Sequence, residues 1–397
     1  MLANEVREIQ GLYGPFTLSE KVIQKIWMRQ DFDCSALRTS SGKVLRVLDP
    51  GRWNFNEGPD FREARIEVDG REIVGDVEVH FRSGDWFAHG HQSNANFGNV
   101  VLHVLLIPEP ASDRMLSVQG VEALVLMPLL NRDLEEHAME DALLDLENAS
   151  QLDCLDSFRA QALTKRREIV HQSALERWYS KLRHAEKRLS AASWSLSCHQ
   201  CILEVLGYSR NRAAMSRIAL KYTIDDFAGA DSAMLASIFE ASSGLWKLSG
   251  LRPANHPKRR LSQYAALCRH DAGWPGALAS VLGQQVVPVD QPTSRFRRAA
   301  ECKAMESSVS DQVFGGQLSS SRLNTLFADA IFPLAHAAKC MDSERHWYHW
   351  YPGDMPSSLR RLASELELND SARPISNGLL QGLLGIVLRK GDLSGLG

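Results

Sequence analysis

The chain has 397 residues, 44% of them apolar, with 45 Lys and Arg against 48 Asp and Glu for a net charge of −3. That length and apolar share suffice for a substantial core and two or three domains, and they exclude a disordered or fibrous chain. No apolar run approaches the roughly 20 residues of a membrane helix. MLANEVREIQ lacks the apolar segment of a signal peptide, and the seven scattered cysteines (34, 154, 198, 201, 268, 302, 340) form no secreted disulfide framework. The expectation is a soluble cytoplasmic protein with free thiols and no membrane partner.

In chain order, Val22, Ile23, Ile26 and Trp27 recur at helical spacing and predict a helix over Ser19 to Gln30. Five short runs rich in β-branched residues follow, Val44–Leu48, Ala64–Val68, Glu72–Phe81, Val100–Ile107 and Val121–Met127, separated by turn signals. Asp69-Gly70 between two alternating runs predicts a hairpin, so the second and third strands are expected to be antiparallel neighbours. Within Glu72–Phe81, Asp76, Glu78 and His80 alternate with Val77, Val79 and Phe81. A charged face of this kind belongs either to an edge strand with one wet side or to a site.

Beyond residue 130 helical periodicity takes over, with Leu175, Trp178, Leu182 and Leu189 along one stripe. Further helices are expected at 193–207, 211–222, 231–242, 261–269, 294–306, 321–340, 356–367 and 375–389. The fold class is therefore α+β: an α/β domain with a mainly antiparallel or mixed sheet over 1–130, then an all-helical domain over 131–397. Charge segregates along the second part: seven acids and no Lys or Arg in Asp133–Glu147, then nine Lys or Arg against three acids in Ser157–Arg188. Arg166 and Arg167 of that basic run, with Lys258, Arg259 and Arg260 of the loop Arg252–Arg260, are candidate contacts to DNA or RNA; the alternative is an ordinary solvated face.

The constellation that could carry chemistry lies in the first part. Asp60 stands at the entrance to one hairpin arm and Glu78 and His80 towards the end of the other. Two carboxylates brought together by a hairpin can hold a hard divalent cation, Mg or Mn, which activates a water; Glu20 on the first helix could reach the same ion. His80 could ligate the metal or act as a base, and an imidazole ligand would shift the preference away from Mg. Asp76, Asp85, Trp86, His89, His91 and His103 surround these residues as substrate or supporting groups. His103 shares its strand face with apolar neighbours and reads more readily as a hydrogen-bonded core residue. Cys198 and Cys201 lie inside an apolar helical pattern and read as buried thiols rather than a zinc pair.

The order of a helix, Pro59-Asp60, a hairpin and Glu78-Val79-His80 resembles the PD-(D/E)xK nuclease superfamily, with His in place of its usual Lys. That resemblance implies a metal-dependent nuclease or a nuclease-like protein, with Asp60, Glu78 and His80 as catalytic residues. The alternatives are a non-catalytic module binding nucleic acid or protein, and a metal enzyme acting on a small molecule through His80, His89, His91 and His103. Over most of its length the chain is also similar to a bacterial family, domain of unknown function 2851. The similarity is carried by Gly58-Pro59-Asp60-Phe61, Val77-Glu78-Val79-His80, Asp85-Trp86, His89, His91 and Asn99-Val100-Val101-Leu102-His103, and further on by Leu206-Gly207-Tyr208, Asn211 and Asn255. It implies that His at position 80 is a family feature, and brings no activity with it.

Overall fold

Alternating apolar residues between positions 44 and 127 build one six-stranded mixed sheet in the computed structural model, which describes residues 6–11, 14–54, 57–108, 120–147, 158–248, 251 and 253–389. A two-stranded ribbon of β1 (Val6–Gly11) and β2 (Gly14–Ser19) precedes helix α1 (Glu20–Arg29). The sheet then runs β3 (Leu45–Asp49), β5 (Phe61–Val68), β6 (Arg71–His80), β7 (Val100–Leu105) and β8 (Glu122–Val125), with the short β4 (Arg52–Trp53) beside β5. Strands β3, β5 and β6 pair antiparallel, whereas β6, β7 and β8 pair parallel. The architecture is α+β, as expected.

The Asp69-Gly70 hairpin forms as its residues dictate. Val68 pairs with Arg71, leaving a two-residue loop whose residues both have positive φ, 47° and 81°, the turn whose twist matches that of the flanking strands. Near the other end of β5 the register slips between Phe61 and Ala64, and Glu63 adopts φ 59°. Asp76 holds this bulge, its Oδ1 accepting the Glu63 backbone N–H at 3.1 Å. Strand β6 lies between β5 and β7 with every residue from Gly75 to His80 buried, so of the two alternatives for the face of Asp76, Glu78 and His80 the wet edge strand is excluded. Gly75 permits the close pairing: a Cβ there would lie 2.3 Å from Val101 Cγ1 and 2.7 Å from the Asn99 carbonyl oxygen.

The described residues fall into two compact units, the first reaching residue 138 and the second continuing from 139, with 10–16 counted to the second. Helix α3 (Leu134–Glu147) carries the acidic run. The second unit is helical: α4 (Leu163–Ala191), α5 (Trp194–Leu206), α6 (Tyr208–Lys221), α7 (Ile224–Gly229), α8 (Ser232–Glu240), α9 (Pro257–His270) and α10 (Trp274–Gly283). They are followed by α11 (Thr293–Ala299), α12 (Cys302–Ser308), α13 (Ser320–Leu326), α14 (Phe332–Ala337), α15 (Glu344–His349), α16 (Ser357–Glu365) and α17 (Asn377–Leu388).

Several boundaries differ from expectation for physical reasons. The basic loop becomes helix from Pro257, because proline is well accommodated in a first helical turn; Arg252 lies outside the described residues. The helix expected over 294–306 divides at Glu301, whose φ of 46° interrupts it. The α7, α10 and α15 segments are helical without having been expected. Helix α17 is buried along its whole length, its mostly apolar residues packing on α4 through glycines while its two polar side chains are hydrogen-bonded, Asn377 to the Trp347 carbonyl at 3.0 Å and Gln381 to Arg177 at 2.9 Å. A Cβ on Gly382 would lie 2.1 Å from the Val170 carbonyl oxygen, so only glycine admits this approach. Cys198, Cys268 and Cys302 are buried free thiols, while Cys154 lies outside the described residues.

A candidate metal centre at the carboxyl end of a central strand

The sheet changes from antiparallel to parallel at β6, and this change assembles the site. A parallel partner cannot be reached by a tight turn, so the chain must cross over before entering β7. The crossover begins at His80, the last residue of β6, passes through α2 (Gly84–Ala88) and two single 3-10 turns, His91–Ser93 and Ala95–Phe97, and returns at Val100. Gly90, at φ 74°, turns the chain between His89 and His91 so that both can face the end of β6. Trp86 on α2 is the wedge: its ring lies 5.4 Å from His91, 5.3 Å from His103 and 5.9 Å from Phe97. Phe97 stacks on His91 at 3.8 Å and sets the ring plane.

One ring nitrogen each of His80, His89 and His91 lies within 4.8 Å of the others. His80 Nδ1 is 2.8 Å from His103 Nε2, and its Nε2 is 3.1 Å from His89 Nδ1. Glu78 Oε1 joins the group, 3.5 Å from His80 Nε2 and 3.1 Å from His91 Nε2. His91 Nε2 is buried without a hydrogen bond in the described structure, although it is close to that oxygen. His80 and His91 are buried while His89 is exposed, so the group reaches solvent through His89.

Asp60 is held differently. Its Oδ1 accepts from Gln24 Nε2 at 2.7 Å and its Oδ2 from the Val79 backbone N–H at 3.0 Å, while its own N–H donates to Glu78 Oε2 at 3.0 Å. The two acids thus form a reciprocal bracket between the start of β5 and the end of β6. The loop that delivers Asp60 is pinned by Asn54, whose Nδ2 donates to the Pro59 carbonyl at 2.9 Å and whose N–H donates to that of Asp60 at 2.7 Å.

Burial sets the protonation of the group. It pushes the Asp60 carboxyl well above its usual range, with the adjacent Glu78 adding to the effect, and pushes Glu78 up to about 8. Burial also depresses the histidines: His80 falls well below its ordinary value, reinforced by His103, while His91 is lowered and His103 falls to about 3. At neutral pH the buried imidazoles are therefore neutral and carry lone pairs, the form that binds a metal.

The structure brings Asp60, Glu78, His80, His89, His91, His103 and Trp86 together. Asp76 serves the β-bulge, and Asp85 pairs with Arg7 at 2.8 Å and accepts the Arg82 N–H at 2.8 Å. From α1, Gln24 is the residue seen to touch Asp60; Glu20 is buried one turn earlier. Sequence reasoning missed Gln24, although its place one helical turn after Glu20 could have signalled it.

The basic candidates lie in the second unit and are largely engaged. Arg166 Nη1 donates to the Leu366 carbonyl at 2.7 Å and Arg167 pairs with Asp370 at 2.9 Å. Arg260 is buried, donating to the Tyr208 hydroxyl at 2.8 Å and to Asn255 Oδ1 at 2.9 Å. Lys258 sits over the Phe239 ring, and Arg259 is exposed.

The model for the family described as protein of unknown function DUF2851 matches residues 20–236, which include every residue of this centre. The chain belongs to the DUF2851 family. No curated protein and no solved structure matches it. The DUF2851 match begins at Glu20, where α1 starts, and runs through the whole mixed sheet into α8. No helix among the described residues is long and apolar enough to cross a membrane.

Proposed function

We propose that the N-terminal unit is a metal-dependent hydrolase centre in which His80, His89 and His91 hold a transition-metal ion beside Glu78, with phosphodiesters as the substrate class. The observation that carries this reading is the convergence of three imidazole nitrogens within 4.8 Å of one another, two of them within 3.5 Å of Glu78 Oε1. The donor set fits such an ion: nitrogen-rich and neutral, it suits Zn, Mn or Fe better than Mg, which prefers oxygen. A bound ion would supply Lewis acidity and lower the pKa of a coordinated water.

The protein's own groups then have distinct tasks. His103 engages His80 Nδ1 and so orients the ring, leaving Nε2 for the centre. Asp60, bracketed by Gln24 and Val79, is a positioning residue that holds Glu78 through its backbone N–H. Glu78 Oε1 faces the histidines; burial keeps this carboxyl protonated at neutral pH, and the charge of a bound cation would favour its ionised form, which could then accept a proton from water. The choice of phosphodiesters rests on the order Pro59-Asp60, hairpin, Glu78-Val79-His80, which is a fold-level analogy to nucleases. Phosphate-ester and nucleic-acid substrates are accordingly the ones to try.

The test is elemental analysis of the purified full chain together with hydrolysis of bis(4-nitrophenyl) phosphate, single-stranded DNA and duplex DNA in Zn and Mn. Near-stoichiometric metal is expected in wild type. His80→Ala and His91→Ala should each weaken metal affinity about 100-fold, and Glu78→Gln should lower turnover by roughly 100-fold or more. Equal residual hydrolysis in wild type, E78Q and H80A would sink the hydrolase reading. A wild-type chain that takes up no Zn or Mn would sink the metal centre itself.

A further inference from the structure

A cavity of about 500 Å³ lies in the helical unit, among α4, α15, α17 and the segments before α11 and α17. Its polar lining includes Arg167, His171, Asp290, Tyr348, Arg373 and Ser376, and Val170, Leu368 and Leu379 contribute apolar wall. That volume is in the range of sites for small organic ligands, which combine apolar walls with a few placed polar groups.

Three features give the cavity a preference for negative charge. Helices α4 and α17 run parallel, since Val170 meets Gly382, Ser173 meets Gly385 and Glu176 pairs with Arg389. Their N-termini therefore open at the same end, where Thr164 and Ser376 line the cavity, and both helix dipoles favour an anion there. Next, Arg167 and Arg373 share one carboxylate, Asp370, at 2.9 Å and 3.6 Å, so two guanidinium groups are opposed by a single partner. Finally, the Tyr348 hydroxyl makes no hydrogen bond among the described residues. Its ring is set by His171 at 4.7 Å and by Gly378, where a Cβ would lie 2.2 Å from the ring.

Two lining carboxylates oppose this preference and both are mostly solvated. The Glu168 side chain is 69% exposed and pairs with Lys165, and that of Asp290 is 78% exposed beside His349 Nε2. Arg167, at 26% exposure, is the deeper charge. Water screens the rim acids more strongly than the inner guanidinium.

We propose that this cavity binds a small organic anion: a phosphate monoester or carboxylate held by Arg167, Arg373 and the Tyr348 hydroxyl, with an apolar or aromatic body against Val170, Leu368 and Leu379. This site is independent of the histidine centre, whose residues all belong to the other unit.

The probes are phenyl phosphate, phenylacetate and inorganic phosphate, titrated calorimetrically into the full chain. Saturable binding of phenyl phosphate or phenylacetate is expected, tighter than that of inorganic phosphate because the ring buries apolar wall. The stronger of the two organic anions identifies the headgroup. Arg373→Gln should weaken it about tenfold and Tyr348→Phe several-fold, the scale of losing a charge-assisted or a neutral hydrogen bond. Lys187→Gln, exposed elsewhere on α4, should leave it unchanged. Thermal unfolding of each variant checks that it folds. The proposal is overturned if neither organic anion binds saturably to folded wild type, or if folded R373Q and Y348F bind like wild type.

Discussion

His346 sits in the helical core with no exposed surface, both ring nitrogens without a hydrogen bond in the described structure, between Phe296 at 5.2 Å and Phe332 at 6.1 Å. Burial lowers its pKa to about 4. Between that value and the roughly 6.5 of an unfolded histidine, the unfolded chain takes up a proton that the folded chain refuses. The folded state thus keeps its full stability above about pH 6.5 and loses it as pH falls towards 4, by about 2 kcal/mol at pH 5 from this residue alone. His346→Phe removes the titration without breaking a hydrogen bond. Urea midpoints of wild type and H346F should be close at pH 7 and should separate at pH 5 with the variant the more stable; identical pH slopes would contradict the argument. His80 and His103 are also buried, yet each lies within hydrogen-bonding distance of another imidazole, whereas both nitrogens of His346 face apolar surroundings.

At the scale of elements, two contacts decide whether neighbours can pack. Gly75 lets β6 lie against β7, and the obstacles to a side chain there include a backbone oxygen at 2.7 Å, which cannot rotate away. Gly75→Ala should therefore cost roughly 3 kcal/mol, read from chemical denaturation, and should disturb the crossover that carries His89 and His91. A loss below about 0.5 kcal/mol would mean that the strands can part at little cost. In the helical unit Lys181, only 3% exposed along its side chain, reaches Asp329 at 2.7 Å, where the helical path between α13 and α14 widens into a π turn. Lys181→Met should destabilise by about 3 kcal/mol because it removes the carboxylate's closest cation, and adding Asp329→Asn should recover part of that loss. Purely additive effects of the two changes would argue that the pair is not coupled. The same pair explains why the basic run on α4 is a poor guide to a surface: Arg177 and Lys181 point into the core, where Arg177 donates to Gln381 at 2.9 Å.

For the molecule as a whole, local chemistry was legible in the chain and long-range partnership was not. Periodicity and turn residues foretold α1, the hairpin at Asp69-Gly70, the strand-to-helix transition near residue 130 and most of the helices, because each rests on residues a few positions apart. Asp60, Glu78 and His80 could be placed near one another for the same reason, since a hairpin of known register joins them. What the sequence could not decide is how those groups are spent. Whether β6 lies at an edge or the centre depends on β7, which enters about 20 residues later by a parallel crossover. That crossover brings His89 and His91 back over His80 and turns the emphasis from a pair of carboxylates to a cluster of imidazoles. Gln24 ties down Asp60 from a helix 36 residues away, and Arg167 shares Asp370, 203 residues away, with Arg373. Residue types and their spacing therefore determined which elements form and which polar side chains each of them carries. Only the tertiary structure decided which lone pairs and charges remain available, because hydrogen-bond partners and burial are set by segments distant in sequence.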